Sequence, residues 1–162
     1  MKRWIWIMAL MLLLSGCGAQ QTYETVMDVW EEQETPAPSV ILVDLPGETA
    51  LPVMESDSGR VYVASDYEIY VQTVPGGDLN ATIEAMTGYQ QSALTVMGTM
   101  QEDTQRYDFV WATAGEGGDL LGRGVILDDG HHHYTMSVLR SADTAEKSPV
   151  VWDSVFSSFR LA

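Results

Sequence analysis

The chain has 162 residues, with 23 Asp and Glu against 8 Lys and Arg and a net charge of −15. So acidic a surface is repelled by phosphate backbones and anionic headgroups, which argues against nucleic-acid binding as a function. The single cysteine excludes an intramolecular disulfide, so a domain of this sequence is stabilised by its core without a covalent cross-link.

The two bases Lys2 and Arg3 precede an uninterrupted apolar run, residues 4–14 (WIWIMALMLLL). As a helix this run is about 16 Å long, roughly half of a 30 Å bilayer core. It is too short to span and has the proportions of the apolar region of an export signal. The next residues, Leu14-Ser15-Gly16-Cys17, resemble the lipobox of bacterial lipoproteins: Leu, a small residue, Gly or Ala, then Cys. Small residues at 15 and 16 admit the backbone to a peptidase cleft, and the Cys17 thiol is the nucleophile that takes up diacylglycerol. The resemblance implies a signal peptide over 1–16, lipidation at Cys17, and a mature protein anchored to the extracytoplasmic face of a cell membrane.

Loss of residues 1–16 removes two bases and no acid, leaving six Lys and Arg against 23 acids, a net charge of −17. Residues 17–59 carry nine acids, no base, and four of the six prolines (Pro36, Pro38, Pro46, Pro52). Charge of one sign with frequent proline opposes compaction, so this stretch reads as a tether that lifts a domain off the membrane. Two pieces within it have local patterns. Tyr23, Val26, Met27 and Trp30 recur at helical spacing, giving a short amphipathic helix at 22–34. Val40-Ile41-Leu42-Val43 has the composition of a strand that adds to a sheet edge; either piece also suits a partner-binding segment.

Residues 60–162 read as one globular domain. Residues 61–63 and 67–74 (YEIYVQTV) are strands, closed by Pro75-Gly76-Gly77. Asp78 caps a helix over 78–87 with Leu79, Ile83 and Met86 on one face, ended by Gly88. Four strands follow at 94–100, 106–114, 120–127 and 131–139, joined by turns short enough to require antiparallel neighbours. In 106–114 the alternation puts Tyr107, Phe109 and Trp111 on one face and Val110 and Ala112 on the other. The central strands are apolar on both faces, which calls for helices on more than one side of the sheet. A last helix begins at Ser148 and Pro149 and carries the stripe Trp152, Val155, Phe156, Phe159.

The expected fold is therefore α+β: an antiparallel sheet of about six strands, in the order β-β-α-β-β-β-β-α, flanked by two helices. That order, with the ending Val155-Phe156-Ser157-Ser158-Phe159, resembles the PsbP and Mog1-like sandwich over residues 60–162. The resemblance implies a non-enzymatic envelope or accessory protein and carries over no functional residue.

Few residues offer chemistry. His131, His132 and His133 are the only histidines. If the strand includes all three, His131 and His133 share a face and form a candidate metal pair, with Asp128 and Asp129 near enough to add oxygen ligands. The hairpin Gly115-Glu116-Gly117-Gly118-Asp119 lacks the Lys and the following helix that phosphate-binding loops need. There is no Gly-x-Ser-x-Gly elbow and no Ser-x-x-Lys pair. The carboxylate pairs Glu102-Asp103 and Asp128-Asp129 are adjacent turn residues, not two acids across a cleft. No catalytic residue and no cofactor is assigned. The expected function is a membrane-anchored, non-enzymatic binding or accessory module for an envelope protein or a small ligand. A metal-binding lipoprotein using His131 and His133 stands second, and a hydrolase assembled only in three dimensions third.

Overall fold

The computed structural model describes residues 35–47, 51–115, 117–147 and 149–162. Cys17 with the stretch read as an export signal, the segment expected as a helix at 22–34, Glu116 and Ser148 lie outside the described residues. The compact unit runs Thr35–Ala162, so folded chain begins inside the stretch read from composition as tether.

In chain order the strands are β1 (Ile41–Leu42), β2 (Met54–Ser56), β3 (Gly59–Val63) and β4 (Tyr67–Pro75), then helix α1 (Leu79–Thr87). Strands β5 (Val96–Gln101), β6 (Thr104–Gly115), β7 (Gly118–Asp128) and β8 (His132–Ser141) follow, then helix α2 (Pro149–Ser158) and β9 (Arg160–Leu161). Strands β2 to β8 form one sheet in the order β2-β3-β4-β8-β7-β6-β5, and every neighbouring pair in it is antiparallel. The fold is α+β, with this sheet flanked by two helices. The local signals act as expected in α1: the Asp78 carboxylate accepts the Asn80 N–H at 2.9 Å, and Gly88, at φ 78°, closes the helix.

Two expectations need correction. The sheet has seven strands rather than about six, because Asp57-Ser58 turns β2 back onto β3, with Met54 opposite Val61. An edge strand needs only one partner, so a short polar segment suffices. The apolar run at 40–43 does not extend that sheet; it pairs as β1 with β9 in a separate two-stranded ribbon, Ile41 opposite Leu161. Ile41, Val43, Leu45 and Leu161 pack against the core beside α2, so the ribbon is held by burial as well as by its ladder.

The core lies in two layers, one on each face of the sheet. In β8 every residue from His133 to Val138 is buried. Tyr134, Met136 and Val138 meet Val125 and Leu127 of β7, Ile69 and Val71 of β4, and Trp152, Val155 and Phe156 of α2 with Phe159 beyond it. On the opposite face Ile126, Phe109 and Trp111 pack with Ile83, Leu79 and Met86 of α1. Burial of each large apolar side chain contributes about 2 kcal/mol before entropy. The C-terminal end of α2 is fastened by polar groups: Arg106 Nη2 donates to Phe156 O at 3.0 Å and Gln101 Nε2 to Phe159 O at 3.0 Å. Arg106 is itself held in a two-pronged bond to Asp108, at 2.6 and 2.9 Å.

The aromatic face of β6 depends on two glycines across the strand. Trp111 lies opposite Gly122 and Phe109 opposite Gly124. A Cβ on Gly124 would come within 2.6 Å of the Phe109 ring, and one on Gly122 would fall closer still onto the Trp111 indole. The rings lie over bare backbone, leaving room for α1 above them. Gly122→Ala should therefore cost about 1–3 kcal/mol by overpacking, read as a lower urea midpoint. Gly117→Ala, where an added Cβ has nothing within 4 Å, should stay within about 0.5 kcal/mol of the parent.

Candidate functional site

The β7–β8 turn disperses the residues that the sequence gathers. Asp128 and Asp129 serve the turn itself: Asp128 Oδ1 accepts the Gly130 N–H at 2.8 Å, and Asp129 Oδ1 accepts the N–H groups of His131 at 2.8 Å and His132 at 2.6 Å. Strand β8 starts only at His132, so the alternation that would pair His131 with His133 does not extend to His131. His131 is exposed in the turn, whereas His133 is fully buried with Nδ1 at 2.7 Å from Thr82 Oγ1 of α1. His133 Nε2 lies 3.7 Å from Asp128 Oδ2, and on the other face His132 Nδ1 lies 3.9 Å from Asp129 Oδ2. Among the described residues no group of three or more His, Cys, Asp or Glu side chains is placed to hold a metal ion.

Asp129 does more than shape the turn. Its Oδ2 accepts the hydroxyl of fully buried Tyr134 at 2.8 Å, and that oxygen in turn accepts the Ser39 N–H at 2.9 Å. This chain of bonds ties the segment before β1 to the hairpin. Burial alone would raise the Asp129 carboxyl, but the His132 N–H, the Tyr134 hydroxyl and the His131 N–H outweigh it and hold it below 3.8.

The other features read from the sequence are structural. Phe109 and Trp111 are core under α1. Glu102 and Asp103 form the β5–β6 turn, with Glu102 at φ 53°. Gly118, at φ 128°, turns β6 into β7.

The concave site lies elsewhere, on the α2 face of the sheet. Val110 and Ala112 of β6, Leu121 and Arg123 of β7, and Val138 and Arg140 of β8 share that face by register: Val110 lies opposite Arg123, Arg123 opposite Val138, and Leu121 opposite Arg140. With Trp152, Asp153 and Phe156 of α2 they line a groove of about 560 Å³, within the range of small-molecule sites. Val110 is 62 % exposed and Leu121 40 %, so apolar surface lies open to solvent here. Two arginines stand at its wall. The Arg123 guanidinium sits 4.2 Å from the Phe156 ring centroid and donates through Nη1 to Asp153 Oδ1 at 2.7 Å. The Arg140 guanidinium lies 5.2 Å from the Trp152 ring and makes no ion pair within 4 Å among the described residues. Burial lowers the pKa of Arg140; Asp66 opposes that shift and Arg123 adds to it, so the two guanidiniums act on each other.

The sequence matches no family model and no curated protein, so the reading of this groove rests on its own residues. Sequence reasoning assigned no role to Arg123, Arg140 or Asp153. A signal did exist: of only six bases beyond residue 16, Arg123 lies in the expected strand 120–127 and Arg140 directly follows its expected neighbour, 131–139.

The Asp129 bonds give a pH test. A carboxyl held below 3.8 when folded stabilises the chain above that value, and this contribution is lost as pH falls from about 4 through the folded pKa. Asp129→Ala should cost about 2 kcal/mol at pH 7. Its urea midpoint should fall less steeply than the parent's between pH 5 and 2, and parallel curves would refute the assignment.

Proposed function

We propose that this chain is a lipid-anchored, extracytoplasmic binding module: Cys17 carries the anchor, and the groove beside α2 receives a ligand. The observation that carries the binding reading is the groove itself, a concavity open to solvent and floored by exposed apolar side chains of the adjacent strands β6 and β7. The anchor is supported by the apolar run at 4–14 and by Leu14-Ser15-Gly16-Cys17. Among the described residues no helix is long and apolar enough to cross a membrane. We also propose the PsbP/Mog1-like sandwich as the finer class of the fold. In its support, β3-β4-α1-β5-β6-β7-β8-α2 follows the expected order, with β1, β2 and β9 added.

We propose a binding rather than a catalytic role because the acids and the buried imidazole are committed to structure: Asp128 and Asp129 to turn N–H groups, His133 to Thr82. The pair His131 and His133 supports the metal-binding alternative poorly, since His131 is exposed and His133 is fully buried against Thr82 of α1.

Each half of the proposal has its own experiment. Cys17→Ser should move the protein from the membrane pellet to the soluble fraction with an unchanged circular dichroism spectrum; persistence in the pellet would place the anchor elsewhere. A neutral apolar fluorophore such as N-phenyl-1-naphthylamine should bind the parent saturably. Leu121→Glu, at an exposed position, should weaken that binding about tenfold or more by placing a charge in the apolar floor.

A further inference from the structure

We propose that the ligand of this groove is an amphiphilic carboxylate, its head bound by Arg123 and Arg140 and its apolar body lying over Val110, Ala112 and Leu121. The inference rests on the groove being a binding site, and adds the ligand's chemistry.

The first argument is charge. The chain beyond residue 16 has a net charge of −17 and six bases, yet two of those bases and a single acid, Asp153, line this one cavity. A groove that is net positive inside an acidic protein concentrates anions where the rest of the surface repels them. The same background field penalises a dianion more than a monoanion, which favours a carboxylate over a phosphate monoester.

The second argument is geometry. Each guanidinium lies over an aromatic ring of α2, Arg123 4.2 Å from the Phe156 centroid and Arg140 5.2 Å from that of Trp152. Contact with a ring restrains the head without using its N–H donors, so less freedom remains to be lost when a carboxylate binds. Arg123 uses one N–H on Asp153, and a guanidinium has five. Arg140 has no ionic partner within 4 Å among the described residues. The Arg140 head is partly desolvated; Asp66 favours its charge from beyond ion-pair distance and Arg123 opposes it, and an anion between the two guanidiniums relieves their repulsion. Asp153, whose side chain is 69 % exposed, occupies one fork from the rim and so competes with an incoming carboxylate.

The third argument is the floor. Val110, Ala112 and Leu121 offer apolar surface beside the guanidiniums, so a ligand with a charged head and an apolar body satisfies both parts at once. A small inorganic anion would leave the floor uncovered, and a neutral apolar molecule would leave Arg140 unpaired.

The test is calorimetric titration of the chain from residue 17 onward, carrying Cys17→Ser. The probes are decanoate and 2-naphthoate, each against its neutral alcohol, decanol and 2-naphthylmethanol. At least one acid should bind at 1:1 with an affinity about tenfold or more above that of its alcohol. Arg140→Gln should remove that advantage, and Arg140→Lys should restore only part of it, since an ammonium lacks the fork. Asp153→Asn should tighten the acids severalfold and leave the alcohols unchanged; a merely structural Asp153 would not separate the two classes. Alcohols binding as tightly as their acids would overturn the carboxylate assignment and leave the groove reading standing, and this comparison holds on the parent chain even if an arginine variant fails to fold. Absence of binding by all four probes would overturn both.

Discussion

The fold depends on one constraint: the middle of strand β8 has no solvent face. From His133 to Val138 every residue is buried, with Tyr134, Met136 and Val138 on one side and His133, Thr135 and Ser137 on the other. A strand of this kind is stable only if both faces of the sheet around it are covered. Helix α2 covers the first face with Trp152, Val155 and Phe156, and α1 covers the second with Ile83. The second face includes the polar His133, and α1 meets that too, by placing Thr82 Oγ1 against the imidazole. Without that partner the buried ring would lose its described hydrogen bond, at a cost of about 1–3 kcal/mol.

The groove follows from the same constraint. Seven strands at about 4.8 Å spacing span roughly 29 Å, whereas a ten-residue helix is about 15 Å long and 10 Å wide. A single helix on a sheet this broad must leave part of it bare. The ribbon of β1 and β9, with Val43 and Leu45, packs into the same core as α2. Arg106 and Gln101 tie the helix's C-terminal end to β5 and β6. What stays uncovered is the floor made by Val110, Ala112 and Leu121 beside α2. The exposed apolar surface at Val110 is thus a geometric consequence of how α2 is pinned.

Much of this architecture was legible in the sequence. Period-two alternation and short turns give the meander of β5 to β8, and Asp78 and Gly88 bracket α1 because capping is local chemistry. Elements that depend on distant partners were less legible. Strand β2 is polar and exists because β3 is beside it, and β9 is two residues long and exists because β1 is. The histidine run misled for a reason of length: the alternation argument assumes a strand from 131, but the turn carboxylates of Asp128 and Asp129 hold the backbone in a turn until 132. The groove was beyond a linear reading because its lining comes from three strands and a helix. Gly122 and Gly124 were legible in principle: two glycines two residues apart, facing Phe109 and Trp111 across a hairpin whose turn sets the register.

The arginines of the groove can be weighed against what packing alone would place there. A guanidinium over an aromatic ring contributes about 0.5–1 kcal/mol at an exposed site. An aliphatic side chain in the same place would add about 2 kcal/mol by burial, and it would not have to be desolvated. Arg123 offsets some of this difference through Asp153, but that pair is exposed and such pairs contribute little. Arg140 has no such pair among the described residues, and burial works against its charge. As structural elements both side chains are poor choices. The feature they provide that an aliphatic residue cannot is a set of oriented N–H donors at the rim of an apolar floor, which is the part of the site that packing leaves unused.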